Sequence, residues 1–205
     1  MIAIIDYGAG NIKSVEKAIQ ALGKEVQITP DPEQIRSADH VILPGVGAFG
    51  DTMKRLTDPG LDEVIREVVS RGTPFLGICL GLQLLFDSSE ESPGVPGLGI
   101  LKGRIRRLPE GDGRKIPQIG WNDLTLQGDG GRLYAMDPSM KAEPYVYFVH
   151  SYYLEAEDPG IVTATCSYGA TVHASIESGN VFACQFHPEK SSSFGMQMLY
   201  NFVNI

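Results

Sequence analysis

Cys79 stands between two glycines, Gly77 and Gly81, in the segment Gly-Ile-Cys-Leu-Gly. The apolar run from Phe75 to Ile78 has the length of a buried strand, and the apolar run from Leu80 to Phe86 predicts a buried helix. A nucleophile at a sharp strand-to-helix turn needs neighbours with almost no side chain, because the turn is crowded. The spacing therefore indicates a nucleophile elbow that carries a thiol.

The chemistry that such a cysteine can do is attack on a carbonyl carbon. The nucleophile is the thiolate, and the N–H groups and dipole at the start of a helix stabilise that anion. The N–H of Leu80 would point to where an oxyanion forms. A cysteine between a strand and a helix can also be an ordinary core residue, so the elbow alone leaves both interpretations open.

A base for this thiol is found in the segment His187-Pro188-Glu189. A proline disfavours the helical conformation of the residue before it, and in an extended chain residues two apart point the same way. A carboxylate on one ring nitrogen would leave the other nitrogen free as a base. The alternative is that His187 only ends a strand and Glu189 caps the next helix. Because the same chain also carries the elbow cysteine, we favour a Cys-His-Glu relay.

Composition limits the classes of protein to consider. The chain has 205 residues, 42% hydrophobic and 20% charged, which predicts one domain over residues 1–205. A net charge of −8 without a dense basic cluster argues against nucleic-acid binding. We expect a cytoplasmic protein with no membrane segment, because no apolar run reaches bilayer length and Asp6 comes too early for a signal peptide. Three cysteines without CxxC spacing predict a reducing compartment and no metal site. We also expect no cofactor.

Strand-like and helix-like segments alternate in the first half of the chain. This order predicts an α/β fold: a mostly parallel central sheet with helices on both faces, and antiparallel strands added in the C-terminal half. The expected strands are 2–5, 26–28, 41–43, 75–78, 103–108, 116–121, 145–154, 162–167, 171–177 and 181–186; the expected helices are 12–22, 33–37, 62–71, 80–86 and 194–203.

Three loops are expected at the carboxyl ends of the parallel strands, where such sheets bind ligands. They are Gly8 to Gly10, Pro44 to Gly47, and the turn at Cys79. Gly8-x-Gly10 lacks the third glycine of a dinucleotide-binding fingerprint, so we interpret it as a tight turn.

The cysteine and histidine motifs resemble those of the triad-type (class I) glutamine amidotransferases, whose fold is flavodoxin-like. Further segments resemble the glutaminase subunits of imidazole glycerol phosphate synthase, an enzyme of histidine biosynthesis, and they run along essentially the whole chain. These segments are Asp6–Ile12, Leu43–Phe49, Gly120–Asn122, Tyr147–Tyr152 and His187–Ser191.

The resemblance implies that Cys79 attacks the side-chain amide of glutamine, that His187 transfers the proton and that Glu189 orients His187. A γ-glutamyl thioester would form and be hydrolysed to glutamate. The implied oxyanion-hole positions are Gly45, Val46, Gly47 and Leu80. The implied substrate-binding positions are Gln83, Glu91, Ser151 and Tyr152. Gln83 is four residues after Cys79, which on a helix is the same face, whereas Ser151 and Tyr152 could equally be ordinary strand residues.

Ammonia released into water would be protonated and lost as a nucleophile, so a partner is expected. The resemblance implies a (β/α)₈-barrel cyclase subunit, which forms a heterodimer that makes imidazole glycerol phosphate and AICAR. The implied interface residues are Asn11, Trp121, Tyr147 and Lys190, although Trp121 could instead be a core residue. The glycines around Val46 would let its peptide turn toward or away from the active site, and we hypothesise that the partner favours the productive orientation.

Three alternatives remain at this point. A glutaminase that serves pyridoxal phosphate or purine synthesis would have the same elbow and relay. A cysteine peptidase or γ-glutamyl hydrolase would need an open groove. A catalytically inactive binding subunit would release no glutamate, so replacing Cys79 by alanine would change nothing in an assay of glutamate release.

Overall fold

The computed structural model describes residues 1–8, 11–111, 113–135 and 143–205. Strands and helices alternate in the first half of the chain. The elements there are β1 (Ile2–Ile5), α1 (Ile12–Ala21), β2 (Val26–Thr29), α2 (Pro32–Arg36), β3 (His40–Gly45), α3 (Phe49–Thr57), α4 (Leu61–Ser70), β4 (Phe75–Cys79) and α5 (Leu80–Leu84).

Strands dominate the second half. They are β5 (Ser88–Ser89), β6 (Gly103–Arg107), β7 (Gln118–Asp123), β8 (Thr125–Leu126), β9 (Tyr145–His150), β10 (Tyr152–Ala156), β11 (Val162–Ser167), β12 (Thr171–Ser178) and β13 (Val181–Cys184). Helix α6 (Ser192–Phe202) follows them, and 3₁₀ turns occupy Arg132–Tyr134, Pro159–Ile161 and Pro188–Lys190.

Eight strands of the described residues form one sheet in the order β2-β1-β3-β4-β13-β12-β11-β8. The pairs from β2 to β13 are parallel, and those from β13 to β8 are antiparallel. Helices cover both faces: α1 and α6 pack in one buried cluster around Ile19 and Phe202, and α2 and α4 pack in the other around Ile35 and Ile65. The predicted fold class is confirmed. Helices α1 and α4 bury their apolar residues against the core and turn their polar residues toward solvent.

Besides the two-residue strands β5 and β8, which were not predicted, three larger features differ from the sequence predictions. Helix α3 was not predicted. The expected helix over 80–86 ends at Leu84, because the carbonyls at its end accept hydrogen bonds from the loop that follows: Leu98 N–H bonds to Leu84 O at 2.8 Å and Ile100 N–H to Leu85 O at 2.9 Å.

The third difference concerns the expected strand over 145–154, which is two strands. They separate at Ser151, because β9 pairs with β7 whereas β10 pairs with β6 in a different sheet.

Gly8 has φ +78°, as a tight turn requires, while Gly10 lies outside the described residues. Over the described ranges, no helix has the length and apolar character needed to cross a bilayer.

Candidate active site

Cys79 ends strand β4 with a backbone conformation, φ 57° and ψ −108°, that is costly for any residue but glycine. The glycines on either side of it are required by close packing. A Cβ at Gly81 would lie 1.9 Å from the carbonyl oxygen of Leu43, and one at Gly77 would lie 2.7 Å from the carbonyl oxygen of Gly81. The crowding expected at this turn is confirmed, and it fixes the direction in which the thiol points.

Neighbouring strands bring the other loops to the same place. In the parallel ladders, Gly45 of β3 is opposite Cys79, and Cys184 of β13 is opposite Ile78. The segments that follow β3 and β13 therefore begin on either side of the elbow. Sheet pairing alone places residues 45–47, Cys79 and residues 185–187 together.

The His187 imidazole and the Glu189 carboxylate are in direct contact. Nδ1 of His187 lies 3.0 Å from Oε1 of Glu189. His187 itself is extended, with φ −100° and ψ 98°, as predicted, but the chain then forms a 3₁₀ turn. The expectation that an extended chain aligns the two side chains is thus wrong at Glu189, which the turn folds back toward the imidazole.

The imidazole and the Cys79 thiol line the same cleft, and the thiol donates to the carbonyl oxygen of Val149 at 3.7 Å. Burial lowers the pKa of His187, but its interactions with Cys79 and Glu189 together outweigh that effect and raise the pKa to about 9. An imidazole between a sulfur and a carboxylate can exchange a proton with the sulfur while the carboxylate stabilises its charged form. Of the three cysteines, Cys79 lines the cleft described below, whereas burial raises the pKa of Cys166 to about 12 and raises that of Cys184 strongly.

Gln185 is a site residue for which the sequence analysis assigned no role. It is fully buried, its Nε2 donates to the Cys79 sulfur at 3.7 Å, and its Oε1 accepts a 2.9 Å hydrogen bond from Gln83 Nε2. A donor at this position stabilises negative charge on the sulfur. The available signal was a glutamine in an otherwise apolar strand run, two residues before His187.

A cleft of about 310 Å³ opens beside Cys79. It is lined by His187, by all four predicted substrate-binding residues, and by Lys190. Nε2 of Gln83 donates both to Gln185 and to the carbonyl of Tyr152, the latter at 2.9 Å, which leaves Oε1 as its atom for a ligand. The cleft therefore presents an acceptor within one helical turn of the thiol.

Glu91 lines this cleft with a carboxylate that also caps helix α3. Its Oε2 accepts a 2.7 Å hydrogen bond from the N–H of Phe49, and Ser92 Oγ accepts one from Gly50 N–H at 3.0 Å. Ala48, at the N-cap position, has no side chain for this purpose. One carboxylate oxygen is thus used within the fold, and Oε1 is left for a cationic group in the cleft.

His150 fixes the chain at Ser151 and Tyr152. Its Nδ1 donates to the carbonyl of Tyr152 at 2.8 Å, and its Nε2 lies 3.0 Å from Oε1 of Gln118. Burial lowers the pKa of His150 to about 4, so this ring is neutral at pH 7 and acts as a structural support.

The predicted oxyanion-hole glycines are needed for different physical reasons. A Cβ at Gly45 would lie 2.7 Å from Cβ of Leu80, whereas Gly47 has open space but φ +109°. Leu80, Val46 and Gly47 line the cleft, while Gly45 lies behind it. The hydroxyl of Tyr7 donates a 2.9 Å hydrogen bond to the carbonyl oxygen of Pro44, the residue before this segment.

The four residues predicted at an interface fall into two groups. Trp121 is 52% exposed and therefore is not a core residue; its ring meets the Tyr147 ring edge-on at 6.0 Å. Lys190 Nζ lies 6.0 Å from the centroid of the Tyr147 ring. Asn11 is separate from these and borders a small cavity shared with Val46 and Glu189. Their role in binding a partner stays a prediction.

The chain matches a known protein family over nearly its whole length. The family model described as glutamine amidotransferase class-I matches residues 3–205. The chain belongs to this family. Amidotransferases of known fold resemble it along its length: a crystal structure of a glutamine amidotransferase gives a TM-score of 0.76 at 21% identity and covers 100% of this chain and 98% of its own. The structure of PurLQS from Thermotoga maritima gives 0.73 at 20% identity, covering 99% and 97%.

Closer amidotransferase relatives are curated proteins named imidazole glycerol phosphate synthase subunit HisH. The protein from Thermosynechococcus vestitus is 50% identical over 203 residues, which is 98% of this chain and 95% of the relative. The one from Moorella thermoacetica is 50% identical over 201 residues, with 98% and 93% covered. The protein from Methanothermobacter thermautotrophicus is 47% identical over 205 residues, with 100% and 98% covered.

Proposed function

We propose that this amidotransferase hydrolyses glutamine to glutamate and ammonia as the glutaminase subunit of imidazole glycerol phosphate synthase. The observation that carries the proposal is the Cys79–His187–Glu189 arrangement at one cleft, in a chain half identical to HisH subunits over nearly its whole length. We also propose that residues 1–205 act as one domain and that the protein works in the cytoplasm.

The first half of the reaction forms a thioester. The Cys79 sulfur attacks the side-chain amide carbon of glutamine as the thiolate, and the proton it has given up is held at Nε2 of His187, whose raised pKa keeps the imidazole charged at pH 7. The carbonyl oxygen becomes an oxyanion that the N–H of Leu80 and an N–H of the 45–47 segment stabilise. When the carbon–nitrogen bond breaks, the protonated imidazole gives its proton to the nitrogen, which leaves as ammonia.

The second half hydrolyses the thioester. A water molecule in the cleft gives a proton to His187 as its oxygen attacks the γ-glutamyl carbon. The carbon–sulfur bond then breaks, the sulfur regains a proton from the imidazole, and glutamate is released. Glu189 holds Nδ1 of His187 throughout, so that Nε2 alone faces the reacting atoms.

The ends of the substrate are held by the residues that line the cleft. Oε1 of Glu91 would accept from the α-ammonium group of glutamine, and Oε1 of Gln83 supplies a further acceptor. Ser151 and Tyr152, fixed by His150, would hold the α-carboxylate. These contacts would hold the substrate in the cleft that Cys79 also lines, with its amide carbon near the sulfur.

The partner we propose is a (β/α)₈-barrel cyclase subunit that receives the ammonia. Exposed Trp121 and Lys190 flank the half-buried Tyr147 in an aromatic and cationic cluster, and exposed aromatic residues are typical interface anchors. Asn11 would contribute a separate contact. The cyclase with its nucleotide bound would favour the orientation of the Val46 peptide that serves the oxyanion.

The deciding experiment measures glutamate release from glutamine by the purified chain, alone and with a candidate cyclase and its nucleotide substrate. We expect release to rise when the cyclase and its ligand are present, and imidazole glycerol phosphate to form. If the chain instead associated with a pyridoxal phosphate or purine enzyme, the subunit assignment would fail while the glutaminase assignment stood. Hydrolysis of γ-glutamyl peptides, but not of glutamine, would overturn both.

A further inference from the structure

Gln185 carries a fully buried amide group directly after strand β13. Its backbone N–H bonds to the carbonyl of Ala174 at 2.8 Å, so the side chain must find partners of its own. A buried amide is costly unless both of its ends are hydrogen-bonded. Oε1 accepts a 2.9 Å hydrogen bond from Nε2 of Gln83, and Nε2 donates to the sulfur of Cys79 at 3.7 Å.

A backbone carbonyl fixes which end of this amide faces the sulfur. The carbonyl oxygen of Tyr152 can only accept, so the Gln83 atom that lies 2.9 Å from it must be Nε2. The second hydrogen of the same Nε2 points to Gln185, which must therefore present Oε1 at that contact. Nε2 of Gln185 is then the end that faces Cys79. Three parts of the chain set this orientation: helix α5, strand β10 and the segment after β13.

The strength of the contact between Gln185 and the sulfur depends on the charge of the sulfur. A neutral thiol is a weak acceptor, whereas hydrogen bonds to ionised groups are about twice as strong as those between neutral groups. The thiol also donates to the carbonyl of Val149 at 3.7 Å, a contact that only the protonated form can make. Gln185 and Val149 thus favour opposite states of Cys79, and the buried amide is best satisfied when the sulfur is negative.

We propose that Gln185 is a catalytic residue that stabilises the Cys79 thiolate, and that Gln83 is its positioning residue as well as a substrate contact. This rests on the proposed function and adds a role at two steps of that reaction. Before attack, the donor raises the fraction of the sulfur that is ionised. When the carbon–sulfur bond of the thioester breaks, the bonding electron pair goes to the sulfur, and the Gln185 N–H stabilises that charge before His187 returns a proton.

The test is Gln185→Met, which keeps the length of the side chain and removes its hydrogen-bonding atoms. The readout is the rate at which iodoacetamide alkylates Cys79 as a function of pH, without glutamine. The pH of half-maximal rate should rise by about one unit, and alkylation at pH 7 should slow about tenfold, because a hydrogen bond to a charged group is lost. We expect kcat for glutamate release to fall by a similar factor with KM unchanged, since Gln185 does not line the cleft.

Gln83→Met removes the group that orients Gln185 and leaves Gln185 itself in place. If Gln83 only bound substrate, alkylation in the absence of glutamine would not change; we expect it to slow, as in Gln185→Met. Gln197→Met is the matched control, because Gln197 donates a 2.9 Å hydrogen bond to Asn201 within helix α6 and does not line the cleft. Its alkylation profile should match that of the wild type.

Both test variants keep the ionisable groups around the sulfur, so a shifted profile reports the donor. The groups that line the cleft with Cys79 are Glu91, His150, Tyr152, His187 and Lys190, and the buried groups whose charges couple to the sulfur are Tyr7 and Cys184.

An unchanged profile for Gln185→Met, in a protein that thermal unfolding shows to be folded, would overturn the catalytic role of Gln185. An unchanged profile for Gln83→Met would overturn the positioning role of Gln83. Should Gln185→Met fail to fold, Gln83→Met tests the same donor with Gln185 present. If instead the wild-type chain releases no glutamate even with the cyclase, it is the proposed function that fails, and the alkylation profile still tests the contact.

Discussion

Nδ1 of His187 lies 3.0 Å from Oε1 of Glu189, and the exposed fractions of the two side chains are only 5% and 1%. Oε2 of Glu189 is buried and has no hydrogen-bond partner among the described residues. A carboxylate with so little access to water depends on its one partner for stabilisation. The charge of the carboxylate and the charge of the imidazole are therefore linked.

This linkage predicts a dependence of stability on pH. The pKa of His187 is raised from 6.5 to about 9, so its contribution to the free energy of unfolding is complete below pH 6.5 and is lost as pH rises through 9. Glu189→Gln lowers that folded-state pKa, and each pKa unit corresponds to about 1.4 kcal/mol. We expect the variant to lose less stability than the wild type between pH 6.5 and 9.5, measured by denaturant unfolding.

Glu177→Gln is the control for this measurement, since it removes a carboxylate that pairs with Arg132 and contacts no imidazole. Its slope of stability against pH over the same range should match that of the wild type. Equal slopes for Glu189→Gln and the wild type would contradict the linkage.

Cys79→Ala should abolish glutamate release, with a fall of about 10⁴-fold or more, because no other group in the cleft can form the thioester. Fluorescence or mass measurements should show that binding to the cyclase is retained. Cys166→Ala removes a buried thiol outside the cleft and should leave the turnover within a few-fold of the wild type. Residual release from Cys79→Ala within tenfold of the wild type would exclude covalent catalysis by this sulfur.

Gly81→Ala should disrupt the elbow, because its new Cβ would meet the Leu43 carbonyl oxygen at 1.9 Å and neither backbone can move freely. We expect a loss of about 3 kcal/mol or more in the free energy of unfolding. Gly72→Ala is the matched substitution: it has the strain of φ +86° but open space, and should cost about 1 kcal/mol. Thermal unfolding of both variants distinguishes packing from backbone strain, and similar losses would refute the packing argument.

Trp121→Ala should weaken binding of the cyclase by about 30-fold or more, as expected for an exposed aromatic anchor, with little change in the stability of the free chain. Tyr200→Ala, which removes an aromatic side chain of similar exposure from helix α6, should leave the affinity unchanged. Titration calorimetry measures both. An affinity that is insensitive to Trp121 would place the cyclase on another surface.

Local chemistry explains which parts of the site were predictable from sequence. The elbow was predicted because glycine spacing, an apolar strand run and an apolar helix run all indicate the same turn around Cys79. The contact of His187 with Glu189 was expected too, but for a partly wrong reason, since a 3₁₀ turn brings the carboxylate back rather than a continuous extended chain.

The parts that were missed depend on distant partners. Helix α3 has a glycine at its second position and lacks an N-terminal cap of its own; the cap comes from Glu91, 42 residues from Phe49. The separation of β9 from β10 at Ser151 reflects pairing with two different sheets, which the continuous alternation of residues 145–154 does not encode. The link between Gln185 and the sulfur joins residues 106 apart in sequence.

The register of three adjacent strands has a consequence for how this protein can change. Gly45 is paired with Cys79 across one ladder, and Cys184 is paired with Ile78 across the next. The backbone hydrogen bonds of these ladders therefore set the distances between the nucleophile, the 45–47 segment and the base that follows β13. Adding or deleting one residue within β3, β4 or β13 would displace a reacting group by roughly 3.3 Å and reverse the faces of the strand. Length variation among working homologues should therefore be confined to the connections outside these strands.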